Sequence, residues 1–250
     1  MPPINDFEYA GLTDVGRQRN SNQDRWGVDA TQSLFIVADG VATSNHGDRA
    51  AERVVNLLPT YLQRHLDTVS LEDAAAPERL GSAIAELSKD LRDDGANDPE
   101  LAGGSTTVVA VAIAGPRALI AHLGDSRGYL YRDEVLHRLT RDHSLIQALI
   151  DAGEVEPQDA RDHPSRSVIT RHVGMVPPAH PDVSSVELRP ADRLLLCSDG
   201  LHGAVGDGSL AQILGARGTA GEACAALIEA ANTAGGPDNI TAIVIDIPAK

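Results

Sequence analysis

The chain writes one short pattern twice. Leu34-Phe35-Ile36-Val37-Ala38 runs straight into Asp39-Gly40, and Leu194-Leu195-Leu196-Cys197-Ser198 runs into Asp199-Gly200. A buried strand that ends in a carboxylate at a sheet edge holds an anionic oxygen rigidly. Two such strands can aim two carboxylates at one spot, where they repel unless a cation lies between them. Two further acids have the same setting. Asp125 follows Ala118-Leu119-Ile120-Ala121-His122-Leu123-Gly124, and Asp238 stands in Gly235-Gly236-Pro237-Asp238-Asn239, just before an apolar, β-branched stretch. Each of these acids has a glycine nearby, so the backbone can turn tightly and approach a ligand. A single Asp-Gly is ordinarily a plain turn. Four acids attached to apolar strands make a cation site the competing reading, with the carbonyl of Gly40 as a further ligand.

The sequence has no Cys-x-x-Cys or His-x-x-x-His pattern, and its histidines are scattered. All-oxygen ligation favours Mg²⁺ or Mn²⁺ over Zn²⁺ or Cu²⁺. Two such ions ~3.5–4 Å apart share a water and make it a nucleophile near neutral pH, which suits attack on phosphorus. A site of that kind needs a cationic fork for the phosphate. Arg19, in the polar segment that leads to Asp24, is the candidate, because a guanidinium can hold two phosphate oxygens at once.

The composition limits the scaffold and the partners. A chain of 250 residues can bury one large core or two small ones. Aromatics are only 3% of it, so the core must be built from Ala, Val, Leu and Ile. The formal net charge of −15 argues against nucleic acid or an anionic membrane as the main partner. Cys197 and Cys224 lie in apolar or Ala-rich surroundings and read as small buried hydrophobes rather than a disulfide. Met1 to Ala10 lacks the basic-then-apolar pattern of a signal peptide, and no apolar run approaches the ~18 residues of a membrane span. The expectation is a reduced, cytoplasmic, single-domain protein over residues 1–250.

Strands are expected at Phe7 to Thr13, Trp26 to Asp29 and Leu34 to Ala38. From Gly47 the apolar period lengthens to that of a helix, carried by Val54, Val55, Leu58, Tyr61 and Leu62, with Pro59 expected to kink it. A second amphipathic helix starts near Pro77 and stops near Gly95. Thr106 to Ile113, Ala118 to Leu123, Gly128 to Arg132 and Val135 to Leu139 read as one antiparallel meander. A short helix at Leu145 to Ile150 precedes the longest irregular region, Glu154 to Pro181. Val183 to Leu188 and Arg193 to Cys197 are strands, Ser209 to Leu214 and Ala223 to Ala231 helices, and Asn239 to Ile247 the last strand. This order is α+β with antiparallel sheets, not a βαβ repeat.

Taken together, the motifs resemble those of the metal-dependent serine/threonine protein phosphatases of the PPM, or type 2C, family in its bacterial single-domain form. The resemblance covers roughly Glu8 to Ile247. It is carried by Thr13-Asp14-Val15-Gly16 with Arg19 and Asp24, by Val37-Ala38-Asp39-Gly40, and by Gly104-Ser105-Thr106-Thr107. Gly124-Asp125-Ser126-Arg127, Leu139-Thr140-Arg141-Asp142-His143-Ser144 and His163-Pro164-Ser165-Arg166 follow. Leu196-Cys197-Ser198-Asp199-Gly200-Leu201 and Asp238-Asn239-Ile240-Thr241 complete the set.

The resemblance implies an α-β-β-α sandwich, two antiparallel sheets flanked by helix pairs. It implies that Asp39 bridges two Mg²⁺ or Mn²⁺ ions, that Gly40 gives its carbonyl to one, and that Asp199 and Asp238 hold the other. Asp24 would act through water, Asp125 with Asp199 would form a weaker third site, and Arg19 would bind phosphate. A water bridging the two ions would attack phosphorus in line, with no phosphoenzyme. Phosphorylated proteins would be the substrates, in opposition to a serine/threonine kinase, and residues 154–181 would be the flap that influences substrate choice.

The chain departs from the family pattern in three respects. Gln23 stands where Glu is common, Ala42-Thr43-Ser44 replaces a Gly-Gly-His, and Val41 stands where eukaryotic members have a histidine proposed as general acid. Gln23 and the Ala42 to Ser44 loop motivate a second reading, a catalytically weak or inactive sensor module that keeps the fold. A third, a two-metal phosphodiesterase or nuclease, is opposed by the net charge and by the lack of a basic groove.

Overall fold

The computed structural model describes residues 7–66, 70–176, 178, 180–216 and 218–248. Ten strands form two antiparallel sheets. The first contains β1 (Glu8–Asp14), β10 (Ile240–Asp246), β9 (Arg193–Cys197), β6 (Arg127–Arg132) and β7 (Val135–Arg138), in that spatial order. The second runs β2 (Asp24–Asp29), β3 (Leu34–Asp39), β4 (Val108–Ala114), β5 (Arg117–Leu123) and β8 (Asp182–Glu187). Helices α1 (Gly47–Leu66) and α2 (Ala76–Gly95) cover the second sheet; α5 (Asp207–Gly215) and α6 (Ala220–Thr233) cover the first. The short helices α3 (Leu145–Asp151) and α4 (Asp199–His202) lie near the end of the sandwich where the acids gather.

Side-chain alternation along the strands builds this four-layer order. In β3, Phe35 and Val37 face the other sheet and join Val109, Val111, Leu194, Leu196, Ile243 and Ile245 in the central layer. Leu34, Ile36 and Ala38 point the other way, onto Val54, Leu58 and Leu62 of α1 and Leu80, Ile84 and Leu87 of α2. Leu195, Cys197, Ala242 and Val244 do the same for α5 and α6. With both faces covered, β3 is apolar from Leu34 to Ala38 and β9 from Leu194 to Cys197, which is why they stood out in the sequence. Both cysteines are free and buried. The first helix runs on through Pro59, and the Pro59 carbonyl accepts from Gln32 Nε2 at 2.9 Å.

One expectation needs correction. Residues 106–139 are not a single meander. β4 pairs with β5 and β6 pairs with β7, but between β5 and β6 the chain leaves the second sheet for the first, where β6 lies beside β9. Gly124 makes the change possible. Its φ is +120°, and a Cβ there would stand 2.6 Å from the side chain of Thr107, so only glycine fits. The corner places Asp125 between the sheets instead of in a hairpin turn. A second difference lies after β9, where Asp199 opens the helical turn α4 rather than a loop. Within the irregular region a 3₁₀ helix forms at Pro157–Asp162. Residues 177 and 179 of the expected flap lie outside the described residues.

Candidate metal centre

Asp24 and Asp39 are direct cross-strand neighbours at the same end of β2 and β3. The other three acids come from elsewhere: Asp125 from the sheet-crossing corner, Asp199 from the start of α4, and Asp238 from the loop before β10. Asp199 lies close enough to Asp238, Asp24 and Asp39 to interact with all three, and Asp125 faces Asp199 and Asp39. All five sequence-predicted acids therefore meet at one end of the sandwich. Arg19 joins them, donating from Nη2 to Asp238 Oδ2 at 2.7 Å.

Two glycines permit this convergence. Gly40 lies against the start of α1, where an added Cβ would come within 2.4 Å of the Gly47 backbone. Gly200 lies against the carbonyl of Asn239, 1.9 Å from where a Cβ would sit, so α4 and the Asp238 loop can touch. Asn239 then ties the Arg19 segment down. Its Nδ2 donates to the carbonyls of Val15 and Ser21, both at 2.9 Å, and its Oδ1 accepts from the Gln23 N–H at 2.9 Å. The Asp39 carbonyl accepts from Thr106 Oγ1 and from the Thr107 N–H, both at 2.8 Å.

Ser198 is a positioning group to which the sequence reading gave no role. Fully buried, it donates from Oγ to Asp24 Oδ2 at 2.7 Å and accepts from the Thr241 N–H at 3.0 Å. Thr241 Oγ1 lies 2.7 Å from Thr13 Oγ1, which accepts from Asn22 Nδ2 at 2.8 Å. Ser198, held by the Thr241 backbone, thus links the first sheet to the Asp24 carboxylate of the second. The only sequence sign of it was the position of Ser198 directly before Asp199.

The electrostatics show what this cluster lacks. Burial, and then the Asp238 charge, push Asp199 up to about 6. Burial does the same to Asp24, also to about 6, partly offset by the Ser198 hydrogen bond. Burial raises Asp39 well above the usual carboxylate range, followed by the charges of Asp24 and Asp199; burial and then Asp199 do so for Asp125. Arg19 supplies a cation at the edge of the cluster through its ion pair with Asp238, whereas Arg127 in the same cavity is committed to Asp142. Among the described residues Asp24 Oδ1, Asp125 Oδ1 and Asp199 Oδ1 are buried without any hydrogen-bond partner. A buried carboxylate oxygen with no donor is strongly unfavourable. Three of them aimed into one acidic end fit hard divalent cations.

The departing loop is ordered against the same floor. The Val41 N–H donates to the Ser105 carbonyl at 3.0 Å, the Ser44 N–H to the Val41 carbonyl at 2.8 Å, and the His46 carbonyl receives the Ala50 N–H at 3.0 Å as α1 begins. An open cavity of about 860 Å³ stands over the centre. Arg19, Asp125, Asp199, Gly200 and Asp238 lie on one side, and Pro157, Arg161 and Arg166 on the flap side.

A second group of potential ligands, His122, His143 and Asp182, lies within 4.8 Å mutual reach on the edge of the second sheet. Its geometry does not suit a cation. The two rings stack at 4.5 Å with 21° between planes, so their in-plane lone pairs run side by side rather than converge. Asp182 is held by Arg171 at 2.9 Å. The Gly124 N–H donates to His143 Nδ1 at 3.1 Å, which leaves the ring neutral with its proton on Nε2, 3.2 Å from Asp182. Burial first, then the neighbouring His122 and Arg171, lower His143 from 6.5 to about 4, against the raising effect of Asp182. Between those values the unfolded chain binds a proton that the folded chain refuses, so stability falls as pH drops through that window. Urea unfolding is expected to show a larger loss from pH 7 to pH 4.5 in wild type than in His143→Gln. Equal losses would remove His143 as the cause.

The protein phosphatase 2C family model matches residues 16–214. The serine/threonine phosphatase stp of Listeria innocua is 37% identical over 238 residues, covering 94% of this chain and 93% of that protein. The serine/threonine protein phosphatase PstP of Mycobacterium tuberculosis is 36% identical over 246 residues, 96% of this chain and 45% of PstP. The crystal structure of the M. tuberculosis phosphatase PstP/Ppp has a TM-score of 0.85 at 34% identity and covers 97% of this chain and 99% of its own. The catalytic domain of PstP in complex with two manganese ions has a TM-score of 0.81 at 32% identity, with 97% and 98% covered.

Proposed function

The chain belongs to the protein phosphatase 2C family and is a metal-dependent serine/threonine phosphatase, and from that premise we propose what its individual residues do. Asp39, Asp199 and Asp238, with the carbonyl of Gly40, would hold two Mg²⁺ or Mn²⁺ ions, Asp24 would take part through water, and Asp125 with Asp199 would offer a third place. When bound, such ions supply a water nucleophile near neutral pH and neutralise charge on the phosphoryl oxygens. The observation that carries this assignment is the set of three buried carboxylate oxygens without a donor. Ser198 keeps Asp24 turned toward the cluster, and Thr106 and Thr107 fix the backbone of Asp39.

Arg19 binds the substrate phosphate. One Nη is engaged by Asp238, and the side chain lines the cavity, 40% exposed, so the remaining N–H groups are open to an anion. Asn239 sets the angle of the fork by holding the backbone on either side of it. Charge-assisted hydrogen bonds are worth about 1.5–3 kcal/mol. Arg19→Ala is therefore expected to lower kcat/KM for a phosphothreonine peptide by roughly 10- to 150-fold. Steady-state kinetics check it, and a change below twofold would remove Arg19 from phosphate binding.

The substrates are phosphoproteins, and we infer that a serine/threonine kinase supplies them, in the cytoplasm and with neither nucleic acid nor membrane as partner. The net charge of −15 supports this. Among the described residues no helix is long and apolar enough to cross a membrane. Residues 8–247 act as one phosphatase domain. The inert-module reading is not favoured, because every expected acid is in the cluster despite Gln23 and the altered Val41 to Ser44 loop. The test is hydrolysis of a phosphothreonine peptide with Mn²⁺ and after exhaustive chelation. Turnover that persists without a divalent cation would overturn the proposal.

A further inference from the structure

We propose that Arg161 and Arg166, on the flap side of the cavity, form an anion subsite that selects phosphopeptides carrying a second negative charge close to the scissile phosphate. The inference rests on the phosphatase reading above and names the substrate class within it.

The chain has 36 acids against 21 Lys and Arg, and its arginines are mostly spoken for. Arg127 in the same cavity is bound to Asp142 at 2.7 Å, and Arg19 to Asp238 at 2.7 Å. Arg132, Arg171 and Arg193 each hold a carboxylate elsewhere. Arg161 and Arg166 are the two cavity-lining arginines that, among the described residues, form no ion pair. Both are exposed. The one partner of Arg161 is the Ala204 carbonyl, at a long 3.5 Å from Nη2. That contact places its guanidinium beside the segment that follows Asp199 and α4, in the cavity that Arg19 also lines.

The local backbone holds the two arginines in place. Arg161 lies in the last turn of the 3₁₀ helix, whose end is closed by the His163 N–H on the Ala160 carbonyl at 3.3 Å. Pro164 follows, and the Arg166 N–H donates to the His163 carbonyl at 3.1 Å while the Ser165 N–H donates to His163 Nδ1 at 3.1 Å. A tight turn therefore presents two guanidiniums to one space. Asp162 and Asp207 also line the cavity and oppose an incoming anion, so the arginines are needed to reverse the local sign. Fork-shaped donors favour a phosphate or carboxylate over a neutral side chain. The phosphoryl group under attack is already served by Arg19. The flap pair has room for a different anion, a few residues away on the same peptide.

The experiment uses one phosphothreonine peptide in three forms, with Ala, Glu or a second phosphoserine placed a few residues from the phosphothreonine, and the Mn²⁺-loaded enzyme. Wild type is expected to prefer the anionic peptides in kcat/KM by roughly three- to tenfold, a preference that shrinks as salt is raised. Preference for the second phosphate alone, or for both anions, supports the subsite and tells which anion it reads. In the Arg161→Gln/Arg166→Gln double variant the ratio falls toward one, and the corresponding double Lys variant restores part of it. A wild-type ratio of one, or a ratio that survives the double Gln substitution, overturns the subsite alone. Failure to hydrolyse even the Ala peptide overturns the phosphatase reading and the subsite with it.

Discussion

Asp39→Asn is expected to lower kcat by on the order of 10³-fold or more, the scale of removing a charge-stabilising group from a transition state, while raising the melting temperature of the metal-free protein at alkaline pH. The two effects share one cause. Asn keeps the shape of the side chain and removes its charge. Asp39 is the group whose carboxyl is disfavoured by burial and then by Asp24, Asp199, Asp125 and Asp238 in turn. Without a cation its ionised form is repelled from four sides, and Asn relieves that repulsion. An amide N–H also gives the acceptor-only cluster a donor, within reach of the Asp24 and Asp199 oxygens that lack one. With a cation the same substitution would remove an anionic ligand that the family resemblance implies both ions share. A stabilised but inactive variant would show that the acids are assembled at the expense of stability, for function. Retained turnover, or a melting point that falls in the metal-free protein, would contradict it. The measurements are phosphopeptide hydrolysis with Mn²⁺ and thermal unfolding after chelation.

The parts of this centre that were legible in the sequence are those where one physical requirement controls a contiguous stretch. β3 and β9 are buried on both faces, so each carries a run of apolar residues, Leu34 to Ala38 and Leu194 to Cys197, and an acid follows within two positions. Asp39 and Asp199 were found for that reason. Asp238 was legible because the Gly-Gly-Pro before it must be a turn and the stretch after it must be a strand. What stayed hidden depends on partners far apart in the chain. The Arg19–Asp238 contact joins residues 219 apart, and the Ser198–Asp24 hydrogen bond residues 174 apart. Neither leaves a local pattern. The sheet change at Gly124 was missed because period-two alternation is the same whichever sheet a strand enters; only the left-handed Gly124 and its contact with Thr107 decide it. α4 escaped because four residues are too few for a helical period to show. Arg166 was visible as part of the His163-Pro164-Ser165-Arg166 motif and Arg161 only as a member of an irregular region; that neither has a carboxylate partner is a property of the fold and left no sign in the sequence.

The second large effect concerns metal and stability together. Mn²⁺ is expected to raise the melting temperature, and chelation to reverse that shift along with the activity. A ligand that binds only the folded state adds about 2.7 kcal/mol at a hundred times its Kd. For a domain of this size each kcal/mol is worth about 2–4 °C, so one filled site gives a shift of about 5–11 °C, and a second adds to it. The gain should exceed that of an ordinary surface site, because the cation also relieves the repulsion that burdens Asp24, Asp39, Asp125 and Asp199 without it. Two variants separate the roles. Asp199→Asn removes an acid that faces the other four, so its Mn²⁺-induced shift should be smaller than wild type. Arg19→Ala removes a competing cation from Asp238, so its shift should be no smaller than wild type even though its hydrolysis is impaired. A protein whose unfolding ignores Mn²⁺ while Asp39 and Asp199 are intact would show that the converging acids are not a cation site. If Arg19→Ala lost the shift and Asp199→Asn kept it, the assignment of metal and phosphate to these residues would have to be exchanged.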